Sequence, residues 1–134
     1  MNEYIKICYI FNKSNLTIYD TYECYMAVLE QMAKQNKKLI RENFRRVCLM
    51  RDKNRCVMCD ARPETLEVHH VKDRTEIING GYVKENGISL CAQCHIKAEV
   101  YHSTGKAEPG YAPEDLYNKI GSNYEKAVKA SEKL

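Results

Sequence analysis

A small α+β domain held together by a metal clip is what the sequence predicts, and three observations predict it. Cys56 and Cys59 form one CxxC pair and Cys91 and Cys94 another. Leu66 to Val71, between the pairs, alternates enough to be a strand, and Ile88-Ser89-Leu90, short and apolar, runs up to the second pair. Apolar residues recur at helical spacing before the first pair and after the second. The chain has 134 residues, 44% hydrophobic and 29% charged. That suits one folded domain of ordinary size and excludes a disordered chain. No apolar run approaches bilayer length, and the N-terminus lacks the features of a signal peptide, so a cytosolic protein without membrane contact is expected.

Each element follows from local pattern. Tyr4 to Phe11 and Leu16 to Tyr19 are β-prone around the turn Asn12-Lys13-Ser14-Asn15, which reads as an N-terminal hairpin. Asp20 with Glu23 three residues on resembles a capping box that starts a helix. Its stripe is Cys24, Val28 and Met32, then Ile40, Phe44, Val47 and Cys48, in one helix whose candidate break point is near Asn36. Arg62-Pro63 is a turn before a strand over 66–71. Asn79-Gly80-Gly81 and Glu85-Asn86-Gly87 are loop signals. A helix should run from about Ala92 and stop at Gly105. Lys106 to Gly110 reads as a linker. Pro113 opens one last helix with the stripe Leu116, Ile120, Tyr124 and Ala127 or Val128. The expected organisation is residues 1–40 as hairpin and helix, 41–105 as the core, and 106–134 as a helical extension.

Seven cysteines are an odd number, and four of them fall in two CxxC pairs. In a reducing compartment that pattern points to metal rather than disulfides. Zinc takes four thiolates in a tetrahedron, and each CxxC turn offers two. The four form a structural zinc site, and the loop held between Cys59 and Cys91 contains His69, His70 and Asn86. Cys8, Cys24 and Cys48 lack such spacing and read as small buried hydrophobes.

If zinc uses all four sulfurs, His69, His70 and His95 are free for other work. Neighbours on a strand point to opposite faces, so His69 and His70 are given separate jobs, one binding a divalent cation and the other activating a water. His95 follows the last clip cysteine directly and can complete the cation site. His102, seven residues further on, reads as a residue on the flank of the helix.

Leu-Glu-Val-His-His, Glu-Asn-Gly-Ile-Ser-Leu-Cys and Ala-Gln-Cys-His, framed by the CxxC pairs, resemble the HNH endonuclease family in its zinc-knuckle subgroup. The likeness covers Arg45 to about His102. It implies the ββα-metal fold and a metal-dependent endonuclease acting on duplex DNA. Position by position, it implies that His70 is the general base, that His69 and His95 ligate the catalytic cation, and that Asn86 braces the loop and keeps the base oriented. Some relatives add a ligand one helical turn later, where this chain has Glu99. The implied cofactors are structural Zn²⁺ and a catalytic Mg²⁺, Mn²⁺ or other divalent ion.

Net charge is only +3, but residues 34–55 hold nine Lys/Arg against two acids. A basic run is more often a solvated face. Beside a phosphodiester-cleaving site it becomes a phosphate-contacting surface, for which Arg41, Arg45, Arg46, Arg51, Lys53 and Arg55 are the candidates, with Lys72, Arg74 and Lys97 nearer the histidines. The rival reading is a zinc-knuckle module that binds nucleic acid without cutting it. A third is a structural zinc protein with a protein partner, which requires the basic face to be buried. A cut through both strands by one small site favours a homodimer.

Overall fold

The computed structural model describes residues 18–134, with side chains from residue 23. The hairpin expected before residue 20 lies outside them, except that Ile18 and Tyr19 are already helical. By density of contact the chain divides into residues 1–39 and 40–134. In the first unit the described side chains include Tyr25, Leu29 and Met32, all exposed, so Met32 is not the core residue its spacing implied.

Helix α1 spans Ile18–Arg51. It contains neither Pro nor Gly and runs as one helix through Asn36. Asp20 stands two residues inside it and does not mark its start. Lys53 and Asn54 end it by taking left-handed conformations (φ 56° and 51°), with Asn54 N–H donating to Leu49 O at 2.9 Å. In the second unit Phe44 and Cys48 turn inward as the stripe predicted.

The sheet is one antiparallel pair, β1 (Glu67–His70) with β2 (Gly87–Leu90), in the register Glu67 to Leu90, Val68 to Ser89, His69 to Ile88 and His70 to Gly87. All of β2 is buried. Its outer edge is closed by the end of α1 and the first knuckle. Ser89 N–H donates to Asp52 Oδ2 at 3.0 Å, and Val57 N–H donates to Ser89 O at 3.0 Å. Two N–H groups of Arg51 donate to the Asp52 carboxylate at 2.7 Å each, and Arg51 Nη2 also donates to Gly87 O at 2.7 Å. An otherwise open strand edge is therefore paired.

Helix α2 (Ala92–Thr104) follows β2 and ends, as expected, at Gly105 in the left-handed region (φ 73°). Cys94 and Ala98 face inward. The predicted last helix is two helices, α3 (Pro113–Lys119) and α4 (Tyr124–Ser131). Gly121 turns the chain at φ 66°, and Asn123 caps α4 by accepting from Lys126 N–H at 2.8 Å. Leu116, Tyr117 and Ala127 enter the core with Val71, Ile77, Ile88 and Leu90, while Tyr124 stays exposed.

Between β1 and β2 the chain makes two 3-10 turns, Ile78–Gly81 and Lys84–Asn86, and α4 packs against both. Ser131 Oγ donates to Ile78 O at 2.6 Å and accepts from Gly81 N–H at 3.2 Å. A residue from the C-terminal segment thus pins the loop.

Gly87 has ordinary extended backbone (φ −120°), so its lack of a side chain matters for space alone. A Cβ there would lie 2.5 Å from Cys48 Sγ and 2.6 Å from the Phe44 ring. Gly87→Ala should destabilise the fold by about 1–3 kcal/mol, the cost of overpacking a filled core. Urea denaturation checks this, and an unchanged midpoint would show that Phe44 can yield freely.

Candidate active site

The four clip sulfurs lie within 4.8 Å of one another. A tetrahedron of thiolates at Zn–S ~2.3 Å needs sulfurs about 3.8 Å apart. Cys59 and Cys91 stand 3.7 Å apart, so the donor set fits zinc. The first knuckle is shaped by Asp60 in the left-handed region (φ 62°), with Asp60 N–H donating to Cys56 O at 2.9 Å. The second is the first turn of α2. The backbone N–H of Cys94 holds the Cys91 thiol down to about 7, while burial pushes the Cys94 thiol up to about 12. Tyr111 OH lies 3.3 Å from Cys94 Sγ and donates to it. None of the histidines belongs to this cluster.

The two strand histidines have different neighbours, as the two-residue period of a strand requires. His69 is buried against α2. Its Nδ1 lies 3.1 Å from Glu99 Oε1 and its Nε2 lies 3.2 Å from His102 Nε2. His70 faces α1 and the loop. Its ring stacks on Phe44 with centroids 4.6 Å apart and meets the edge of Tyr82 at 4.9 Å. Both histidines nevertheless line one cleft of about 240 Å³, with Asp73, Arg74, Tyr82, His95, Glu99 and His102.

Burial, then the neighbouring His102, lowers the His69 pKa to about 3, and burial lowers that of His70 to about 4. Both imidazoles are therefore neutral at pH 7 and keep a lone pair for metal or proton. The Nε2 of His70 is buried and has no hydrogen-bond partner among the described residues. A buried polar atom left unsatisfied is costly unless a water or a ligand meets it.

His69, Glu99 and His102 form a second group with ligand atoms within 4.8 Å of one another. His95 adjoins it. Its Nε2 is 3.4 Å from Glu99 Oε1, its ring is 5.3 Å from that of His69, and its Nδ1 is paired with Glu67. A carboxylate on one imidazole nitrogen leaves the other turned to the cleft, the usual arrangement for a ligating histidine. Sequence reading left His102 on the flank of the helix. The structure puts it in the cluster, its Nε2 also 2.9 Å from His70 O. The signal was present, because His95, Glu99 and His102 stand at i, i+4 and i+7 on one face of α2. Glu67, two residues before His69 on the same strand face, was also missed.

Asn86 is fully buried under the turn that follows His70. Its Nδ2 donates to Lys72 O at 3.0 Å and Gly81 O at 3.2 Å, its Oδ1 accepts from Lys72 N–H at 3.0 Å, and its backbone O accepts from Val71 N–H at 2.9 Å.

The basic candidates divide. Arg51 is committed to Asp52 and Gly87, and Arg45 donates to Leu66 O at 2.9 Å. Arg55 pairs with Asp60 at 2.6 Å, and Lys72 lies 3.9 Å from Glu76 and over the Tyr101 ring. Arg41, Arg46, Lys53, Arg74 and Lys97 are exposed, and only Arg74 of the nine lines the cleft.

Residues 56–100 match the family model described as HNH endonuclease. This segment is similar to HNH endonucleases. The match covers about a third of the chain, from the first clip cysteine to Val100, and takes in His69, His70, Asn86, His95 and Glu99. No curated protein and no solved structure matches the chain. That likeness points to nuclease activity in general, and the α+β core and four-cysteine cluster agree with the fold and clip expected from the sequence.

Zinc uptake by the clip displaces thiol protons, so it strengthens as pH rises. Below about 7, Cys91 must also give up a proton, and the dependence should steepen there. Competition with a metallochromic chelator between pH 6 and 8 measures it. Affinity independent of pH, or a Cys94→Ser protein that binds zinc as tightly as the parent, would contradict a four-thiolate site.

Proposed function

We propose that the chain is a metal-dependent DNA endonuclease that hydrolyses phosphodiester bonds in duplex DNA. The observation that carries the reading is the single cleft in which an unpartnered, neutral imidazole nitrogen of His70 stands beside the His69, Glu99 and His102 group. A water reaching His70 Nε2 gives up its proton there, a contribution of roughly 10²–10⁴ in rate for a positioned general base. His69 and Glu99 would hold the divalent cation, with nitrogens of His95 and His102 at hand. When bound, that ion supplies positive charge to the scissile phosphate and the leaving 3′ oxygen. Mixed nitrogen and oxygen donors suit Mn²⁺ as well as Mg²⁺, and also Ni²⁺ or Zn²⁺.

Asn86 serves by tethering the backbone at Val71 and Lys72, directly after the base. Arg74 is placed to meet a phosphate of the bound strand. Arg41, Arg46 and Lys53 extend a basic surface along the end of α1 for the flanking duplex, with Lys97 on α2. Arg45 and Arg51 act instead by holding the scaffold. The basic residues of 40–55 are exposed or half-exposed, which favours nucleic acid over a buried protein interface. A single small cleft of this kind nicks one strand, and a second copy of the chain would be needed to cut both at once.

Supercoiled plasmid incubated with Mg²⁺ or Mn²⁺ should be nicked, excess EDTA should stop the reaction, and fresh divalent ion should restore it. His70→Ala should lower the rate at least a hundredfold while duplex binding, followed by fluorescence anisotropy, persists. Binding without cleavage in the wild-type protein under every divalent ion would leave a nucleic-acid-binding module.

A further inference from the structure

The cleft is lined by no residue beyond His102, yet the C-terminal segment reaches its supporting wall through one hydroxyl. Tyr117, on α3, is buried in the core, and its OH donates to Asn86 Oδ1 at 2.9 Å. The Asn86 amide therefore has two donors on its oxygen, Lys72 N–H and Tyr117 OH, and two carbonyls on its nitrogen, from Lys72 and Gly81. That is the full capacity of a primary amide, and only one of its two flipped orientations satisfies all four partners. Gly81 leaves room for this amide, since a Cβ there would sit 2.6 Å from Asn86 Nδ2.

Lys72 is the second residue after His70. Its N–H and C=O are both held by the Asn86 side chain, so the orientation of that amide sets where β1 ends and the turn begins. Burial keeps the Tyr117 phenol above its ordinary range and therefore a donor at all working pH values. Ser122, just after α3, adds a second hold by donating from Oγ to Glu85 O at 2.8 Å, next to Asn86 in the chain.

We propose that Tyr117 is a positioning residue for cleavage, its hydroxyl locking the Asn86 amide and through it the backbone that aims His70. The assignment rests on the nuclease reading above. It makes residues 106–134, beyond the matched HNH segment, part of the cutting machinery.

Tyr117→Phe keeps the ring in the core and removes only the donor. At saturating Mn²⁺ and duplex DNA its kcat should fall roughly threefold to tenfold, the scale of one net hydrogen bond, with KM unchanged. The Lys72 amide should exchange with solvent faster by a similar factor, while amides of β2 keep their protection. Leu49→Ala, which thins the packing of α1 against the core and lies outside the cleft lining, should lower the denaturation midpoint yet leave kcat intact below unfolding temperatures.

Full kcat in Tyr117→Phe with unaltered Lys72 exchange, or an equal loss of kcat in Leu49→Ala, overturns the assignment and leaves the nuclease reading standing. A wild-type protein that leaves DNA whole overturns both, since no base then remains to be aimed.

Discussion

The whole of the HNH segment depends on four sulfurs being drawn to one point. Two strands of four residues do not make a stable sheet in water, and the loop they carry is long, with few hydrophobic residues inside it. The clip closes that loop just outside both strands. Cys56 and Cys94 are themselves buried among Leu66, Leu90 and Ala98, so the metal site is continuous with the hydrophobic core rather than appended to it. A structural zinc contributes on the order of 10 kcal/mol to folding, comparable to the entire stability of a small domain.

With the sheet fixed, the adjacency of His69 and His70 becomes a way of addressing two environments from one strand. One ring is delivered to the polar face of α2, among Glu99, His95 and His102, and the other to an aromatic wall of Phe44 and Tyr82. Register makes this possible. His70 stands opposite Gly87, and the space that a side chain at 87 would fill is taken by the Phe44 ring on which His70 stacks. The glycine, the phenylalanine and the histidine form one packed stack, each determining the next.

Much of this was legible in the sequence because it is local. Cysteine spacing gave the clip, alternation over 66–71 gave the first strand, and Gly105 gave the end of α2. The second half of the α1 stripe, Phe44 and Cys48, was also read correctly. What escaped depends on contacts between residues far apart in the chain. Nothing local shows that Arg45 and Arg51 hydrogen-bond to the carbonyls of Leu66 and Gly87, so both looked like free positive charge. The apolar spacing from Leu116 to Val128 fits one helix as well as two, and Gly121 with the Asn123 cap decides for two. His102 was misjudged because its partner lies 33 positions earlier and only folding brings them together.

The chain order Cys94-His95 has a further consequence. One residue is a thiolate of the clip and the next is an imidazole at the cleft, oriented from its far side by Glu67. No flexible spacer separates the two ion sites, so any loosening at the sulfurs moves the neighbouring ring. The geometry of the knuckle and that of the cleft are therefore one problem in this chain, and a change at either is felt at the other within a single peptide unit.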